Sequence, residues 1–332
     1  MDFGFTDEQQ AIKETAREML AARSPLSAVR EAVESGKRDD ALWGEIRKLG
    51  WPGIAIDEEH GGQGLGMVEL AVLCEELGYA CAAVPYLSHV AAALFVSVAG
   101  SDEQRDRWLP SLASGERRGA AAFEPGEGNL VLDPDGADLI VLAEGPEGAR
   151  LVEASEAEIE GVELIDATRG YGRASAPDGD SLPGDAETAA DRAVVALAAE
   201  LTGVAQRAME MAVEYAKERE QFDRPIGAYQ AVSHRCAGML YDTEEARSLT
   251  YYAAWCADAE PESLPLAAHM AKARASDAAW RVTASALQVH GGIGFTWEHD
   301  LQFLLKRARV DGELLGSAGG HRERVASLVG LG

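Results

Sequence analysis

The chain has 332 residues, enough for a large apolar core and more than one domain. Its 56 acidic residues against 30 basic ones leave a net charge of −26, which excludes nucleic-acid binding through the general surface. Its cysteines lack metal-ligand spacing and no apolar run reaches membrane-spanning length, which excludes a cysteine-built metal site and a transmembrane helix.

The opening residues, MDFGFTDEQQ, lack the basic-then-apolar order of a signal peptide. A cytoplasmic protein is expected, with Cys74, Cys81, Cys236 and Cys256 as buried free thiols. Residues 6–24 predict an amphipathic helix, with Thr6 and Gln9 placed for a capping box. A second helix is predicted over Asp40–Lys48, stopping at Gly50. Pro52, Gly53, Gly61, Gly62, Gly64 and Gly66 then make a loop before a long apolar helix from about Met67. Such a loop can cradle phosphate, but no strand precedes it and no P-loop lysine follows, so it reads as structural. A helix over Val84–Val98 follows, then a segment capped by Ser101, with Pro110 near the next break.

Composition changes at about Gly119. Between there and Asp185 the runs AAAFE, NLVLD, ADLIVLAE, ARLVEA and GVELIDA alternate with Pro125-Gly126, Pro134-Asp135-Gly136 and Gly145-Pro146. This predicts a small antiparallel unit with a loop-rich exit from Tyr171 to Asp185. Segments near 187–219, 228–258, 262–290 and 299–328 carry apolar residues at helical spacing, with a break near Gly316. The domains are therefore expected at 1–118, 119–185 and 186–332. The last is a helical bundle with apolar faces that also suit oligomer contacts.

Two stretches in that bundle stand out. A helical face of Ala205, Met209, Ala212, Val213 and Ala216 leads to Phe222-Asp223-Arg224-Pro225, where Pro225 and Gly227 make a fixed corner. Arg219, in the last turn beside Gln221 and Phe222, could grip a diphosphate through its planar guanidinium; alone, it would simply complement the helix dipole. Downstream, QVHGGIGFTWEHDL (Gln288 to Leu301) is another helix end, broken by Gly291, Gly292 and Gly294.

Together these stretches resemble the C-terminal helical domain of the acyl-CoA dehydrogenase family. In that family an R-x-x-F segment holds the FAD pyrophosphate, and a Q-x-x-G-G-x-G loop from a neighbouring subunit covers the adenosine. The resemblance implies FAD, contacted by Arg219, Gln221, Phe222, Gln230, Gln288, Gly291, Gly292 and Ser317. It implies a mainly α fold: an N-terminal helical domain, a reduced middle β domain and a C-terminal four-helix bundle. Glu58, Gly61, Gly62 and Gly64 match the family's P-E-x-x-G-G-x-G loop, with Asp57 in place of proline. In the middle domain Glu124 and Pro125 match a T-E-P-x-x-G-S-D strand end, but Phe123 replaces the threonine and the Ser-Asp is missing.

The family removes an α-proton with a carboxylate while the β-hydrogen leaves as hydride to flavin, so the base must be aimed closely at the thioester. Matching Gly316-Ser317 to the family's Gly-Thr puts Leu315 where the base belongs, and leucine cannot accept a proton. Glu313 lies roughly 200° around a helix from that position. Asp191, beside Arg192, lies near the base of some members, and Glu200 is on the same helix. Each of these carboxylates is also explained as a solvated helix residue. The pattern resembles the shorter subunit of heteromeric acyl-CoA dehydrogenases. That implies a larger partner supplying the base, an acyl-CoA substrate (bulky steroid side-chain esters among them) and an electron-transfer flavoprotein as acceptor. Two alternatives are a self-sufficient homo-oligomer with a relocated base and a non-catalytic scaffold. His234 and His290 are expected in packing or near phosphate, His321 in a solvated turn. Glu298 and Asp300, flanking His299, are expected as helix N-terminal charges, not metal ligands.

Overall fold

Thr6 starts the fold as expected. Its hydroxyl accepts from the Gln9 amide (3.2 Å) while the Gln9 side chain accepts from the Thr6 amide (3.0 Å), fixing α1 (Asp7–Arg23). The computed structural model describes residues 4–36, 39–124, 129–144, 148–176 and 178–331. Helix α2 (Leu26–Ser35) is an addition to the sequence reading; it buries only Val29 fully, which leaves little apolar periodicity to see. Next come α3 (Asp40–Lys48), α4 (Met67–Ala80), α5 (Tyr86–Ala99) and α6 (Asp102–Ala113), the last capped by Ser101. Pro110 sits in the last turn of α6, near the break at Ser114 as expected, and removes one helical hydrogen bond.

The glycine loop before α4 spends its amides on its own backbone. Gln63, Gly64 and Leu65 donate to Gly53, Ile56 and Ile54 (2.9, 2.8 and 3.0 Å). A Cβ on Gly62 would lie 2.0 Å from the Ile56 carbonyl oxygen. The loop is a structural turn, with no free N–H cradle at its centre. Gly66 has no side chain to cap α4, so Asp258, distant in sequence, accepts from the Met67 amide (2.9 Å) and the Val68 amide (3.3 Å).

The middle sheet has seven strands: β1 (Gly119–Glu124), β2 (Asn129–Leu132), β3 (Leu139–Ala143), β4 (Ala149–Glu153), β5 (Glu158–Gly161), β6 (Tyr171–Ser175) and β7 (Asp180–Ser181). Their order is β5-β6-β2-β1-β3-β4-β7. The expected purely antiparallel unit is corrected: β1 and β3 pair in parallel, because β2 folds back along one side of β1 and β3 returns on the other. The expected GVELIDA strand is also corrected. Past Val162, whose amide donates to the Tyr171 carbonyl (2.8 Å), the chain leaves the sheet and carries Asp166 to Arg307 (2.7 Å). Part of the expected exit loop is β6, which pairs with both β2 and β5. The turn residues Pro125, Gly126, Gly145 and Pro146 lie outside the described residues. One sheet face joins the main core; the other encloses a small cluster of Ala120, Val131, Ile140, Leu142 and Val152.

The remaining helices are α7 (Ala186–Glu218), α8 (Gln230–Ala259), α9 (Leu264–His290), α10 (Leu301–Asp311) and α11 (Ala318–Leu328). Helix α7 is the axis, packed against α4, α8 and α9. The α4–α7 crossing needs glycine: a Cβ on Gly203 would lie 1.9 Å from the Glu75 carbonyl oxygen. No helix among the described residues is long and apolar enough to cross a membrane. Cys74, Cys81 and Cys256 are buried as expected, whereas Cys236 is half-buried on α8. Asp258→Ala should lower stability by about 1 kcal/mol, the usual value of a helix cap, read as a lower urea midpoint at constant slope.

Candidate functional site

Helix α7 ends one residue earlier than expected, so Arg219 is its C-cap and already extended (φ −75°, ψ 119°). A two-stranded ribbon follows, β8 (Glu220–Gln221) and β9 (Arg224–Pro225). Its turn residues Phe222 and Asp223 both have positive φ, +53° and +63°. That is the geometry of a tight hairpin, usually given to Asn-Gly, and it is strained for phenylalanine. The ring is 87% exposed. The corner is nonetheless fixed: the Ile226 amide donates to the Arg219 carbonyl (2.8 Å) and the Tyr229 hydroxyl to the Gln221 carbonyl (3.0 Å). Arg224 lies over the Tyr229 ring at 4.0 Å. Arg219 is exposed, and among the described residues no carboxylate pairs with it. Gln221 and Gln230 are exposed beside it.

The second motif is at the same end of the bundle. Tyr215 of α7 stacks on His290 of α9 with ring centroids 4.6 Å apart, and His290 meets His299 at 4.4 Å. His290 is buried and its Nδ1 donates to the Ala286 carbonyl (2.8 Å), so it is a packing residue; His234 is exposed. Gly291, at φ +62°, breaks α9 and starts a short turn through Phe295. Gln288 and Gly292 are exposed, as are Phe295 and Trp297. Asp300 does more than face a helix N-terminus: Arg30 of α2 grips it at 2.6 Å and also donates to the Glu298 carbonyl (3.3 Å).

A different place holds Ser317. Between α10 and α11 the chain turns through Leu315 (φ +56°) and Gly316 (φ +105°). Ser317 caps α11, its hydroxyl accepting from the Gly320 amide (3.2 Å), and remains exposed. His321, expected in a solvated turn, is buried instead. Its Nε2 donates to the Leu315 carbonyl (2.9 Å), its Nδ1 faces His269 Nδ1 (2.6 Å), and His269 Nε2 is 3.7 Å from Asp191. Burial, with Lys272 and His269 nearby, pushes His321 down to about 4.

The three carboxylates weighed as bases separate cleanly. Glu313 is exposed and paired with Arg309 (2.9 Å). Glu200 is buried against Arg307 (2.6 Å) and Arg169, which hold its carboxyl below the usual range against the cost of burial. Asp191 is buried without a guanidinium partner among the described residues, and burial together with Glu187 pushes it up to about 7.

Glu200 belongs to a buried network absent from the sequence reading. Arg307 is fully buried and reaches Asp166 (2.7 Å), Glu200, Thr168 and the Ala82 carbonyl (3.4 Å). Arg169 reaches Glu200 and Asp311 (3.1 Å). Arg307 and Asp311 lie four residues apart on the apolar stripe of α10, a signal that was visible in RARVD. Beside the network a cavity of about 720 Å³ opens between α2 and the middle region, lined by Val33, Ala83, Asp133, Leu164 and Tyr171. At the surface Asp57, Glu59 and His60 bring ligand atoms within 4.8 Å, but His60 is engaged with Asp106 (3.4 Å).

Arg307→Met should cost about 3–5 kcal/mol, because Asp166 and Glu200 would be left buried and under-paired. Asp311 is pushed up to about 7, chiefly by burial. Folded protein therefore holds a proton there that unfolded protein releases near pH 4, and this contribution is lost as pH rises through about 7. Asp311→Asn should accordingly gain stability relative to the parent at pH 8 more than at pH 5 in parallel urea titrations.

Residues 6–116 match the family model for the acyl-CoA dehydrogenase N-terminal domain, and residues 186–329 the model for its C-terminal domain. The chain is 34% identical over 316 residues to acyl-CoA dehydrogenase IpdE2 of Mycobacterium tuberculosis, spanning 94% of each protein. Among solved structures it is similar to a Tcur3481–Tcur3483 steroid ACAD variant (29% identity, TM-score 0.89, covering 97% of this chain and 98% of that one). It is also similar to the ChsE4–ChsE5 complex from Mycobacterium tuberculosis (26% identity, TM-score 0.88, covering 99% of each chain).

Proposed function

The chain belongs to the acyl-CoA dehydrogenase family, and we propose that it is the shorter subunit of a heteromeric, FAD-dependent enzyme that dehydrogenates an acyl-CoA thioester at its α,β bond. FAD is the cofactor of that family and, when bound, accepts the β-hydrogen as hydride. The observation that carries the reading is Arg219: an exposed guanidinium without a carboxylate partner among the described residues, at a rigid corner beside the outward Phe222. In an acidic chain such an arginine suits a diphosphate, gripped through two parallel N–H bonds. Gln221 and Gln230 flank it, while Gln288, Gly291 and Gly292 at the same bundle end would meet the adenosine of a site shared with a neighbouring chain. Ser317 would offer its hydroxyl to the cofactor from the other corner. The division of labour follows residues 1–118, 119–185 and 186–332, the last carrying these contacts.

Leu315 stands at the matched base position, and Glu200 is committed to two arginines. The base therefore belongs to a larger partner subunit. Relatives whose names pair two components, ChsE4–ChsE5 and Tcur3481–Tcur3483, favour such a partner, and the word steroid in the second favours a bulky acyl chain. An electron-transfer flavoprotein is the acceptor this reading implies. One observation favours a self-sufficient enzyme instead: Asp191, pushed up to about 7, is linked through two histidines to the Leu315 carbonyl.

Arg219→Ala should weaken FAD binding by the mixed complex by about 10- to 100-fold in a flavin fluorescence titration, the loss of a charge-assisted contact worth ~1.5–3 kcal/mol. Unchanged affinity would remove this chain from the pyrophosphate end. Asp191→Asn should leave turnover by the mixed complex within about twofold, whereas a fall of about 100-fold or more would mark Asp191 as the base.

A further inference from the structure

The turn between α10 and α11 is held by an uncommon set of donors. Lys272 of α9 is fully buried, and its ammonium donates to the Ser276 hydroxyl (3.0 Å), the Gly312 carbonyl (3.1 Å) and the Gly316 carbonyl (3.2 Å). Three donors meet three neutral oxygens, two of them belonging to the turn. A buried ammonium is costly and would ordinarily be paired with a carboxylate; here two of its three hydrogen bonds go into one short stretch of backbone.

His321 holds the same turn from the other side. The Leu315 carbonyl can only accept, so His321 Nε2 carries a proton. Neutral His321 then presents a bare Nδ1, and the 2.6 Å contact requires His269 Nδ1 to donate to it. The carbonyls of Gly312, Leu315 and Gly316 are thus all engaged by side chains from α9 and α11. Between them Leu315 and Gly316 stay at positive φ, which for leucine has to be over-determined by its surroundings.

We propose that Lys272 and His321 are positioning residues: they lock the Leu315–Ser317 turn so that Ser317 faces outward toward the cofactor. This rests on the reading above in which Ser317 contacts FAD. The groups facing Lys272 are Asp311 and Glu313 from the α10 end and His321 from α11; beyond His269 lie Asp191 and Glu187 of α7 and Arg324 of α11. Burial brings Lys272 down to about 8, against the pull of Asp311 and Glu313. A neutral amine has two donors and a lone pair, so it can keep both turn carbonyls only by making the Ser276 hydroxyl the donor, and it loses the charge that strengthens both bonds. The turn should therefore loosen as pH rises through that value, although global stability does not fall, because the folded chain releases this proton more readily than the unfolded one.

The test is amide hydrogen exchange over residues 312–320 in the full chain from pH 6.5 to 9.5, corrected for intrinsic rates, together with FAD titration of the complex each variant forms with the candidate larger subunit. Wild type should lose about tenfold of its protection through about pH 8, as the bonds to the turn carbonyls lose their charge assistance. K272M should exchange fast at every pH without that inflection and bind FAD more weakly. H321L, on the outer helix, should also speed exchange in the turn, which keeps the test available if K272M fails to fold. S317A, which removes the cap on the Gly320 amide, should speed exchange there but keep wild-type exchange and its pH profile over residues 312–316, while weakening FAD. Wild-type protection in K272M or H321L, or the same pH inflection in K272M, would overturn the proposal. Undiminished FAD binding by S317A would overturn the Ser317 assignment and leave the locking of the turn standing on the exchange data.

Discussion

A fully buried guanidinium cannot be left short of partners, and Arg307 imposes that condition on the chain around it. It draws Asp166 and Thr168 out of the middle region, Glu200 from α7 and a carbonyl from the end of α4. Arg169 then joins Glu200 to Asp311. Two guanidiniums face three carboxylates, so Asp311 gives way by holding its proton, as its shift up to about 7 reflects. The network explains why the stretch after β5 abandons the sheet. It also ties the middle region to the bundle through charge, beside the apolar core they share.

The interior and the bundle end are opposites in their saturation. Inside, Glu200 is consumed by arginines, and Leu315, which accepts no proton, stands at the position proposed for the base. At the bundle end Arg219, Gln230 and Gln288 are exposed, and Phe222 projects from a turn whose backbone costs roughly 1–3 kcal/mol per strained residue. Backbone strain of this kind clusters at ligand-binding and switch regions. That contrast is the physical basis of the proposal that this chain completes a cofactor site while a partner supplies the base.

Much of this was legible in the sequence. The capping box of α1, the Ser101 cap of α6, the corner at Pro225 and the glycine break at Gly291 rest on local stereochemistry, and local rules recover them. The residues proposed for the cofactor cluster in two short motifs, which is why local reading singles them out. What escaped was set by distant pairing. GVELIDA has the composition of a strand, but the pull of Arg307 on Asp166 outweighs it. YGRAS is short and glycine-containing, yet it sits between two partner strands. His321 follows two glycines and reads as solvated, while its burial depends on His269 from another helix. Charges on the apolar stripe of α10 were the one sequence signal of the network.

The most direct test of the shared-site account is flavin content, measured by absorbance on the chain purified alone and then with its candidate larger acyl-CoA dehydrogenase subunit. The account expects little or no flavin in the chain alone, and a yellow mixed complex that oxidises an acyl-CoA. A chain that purifies yellow by itself and oxidises an acyl-CoA without a partner would contradict it.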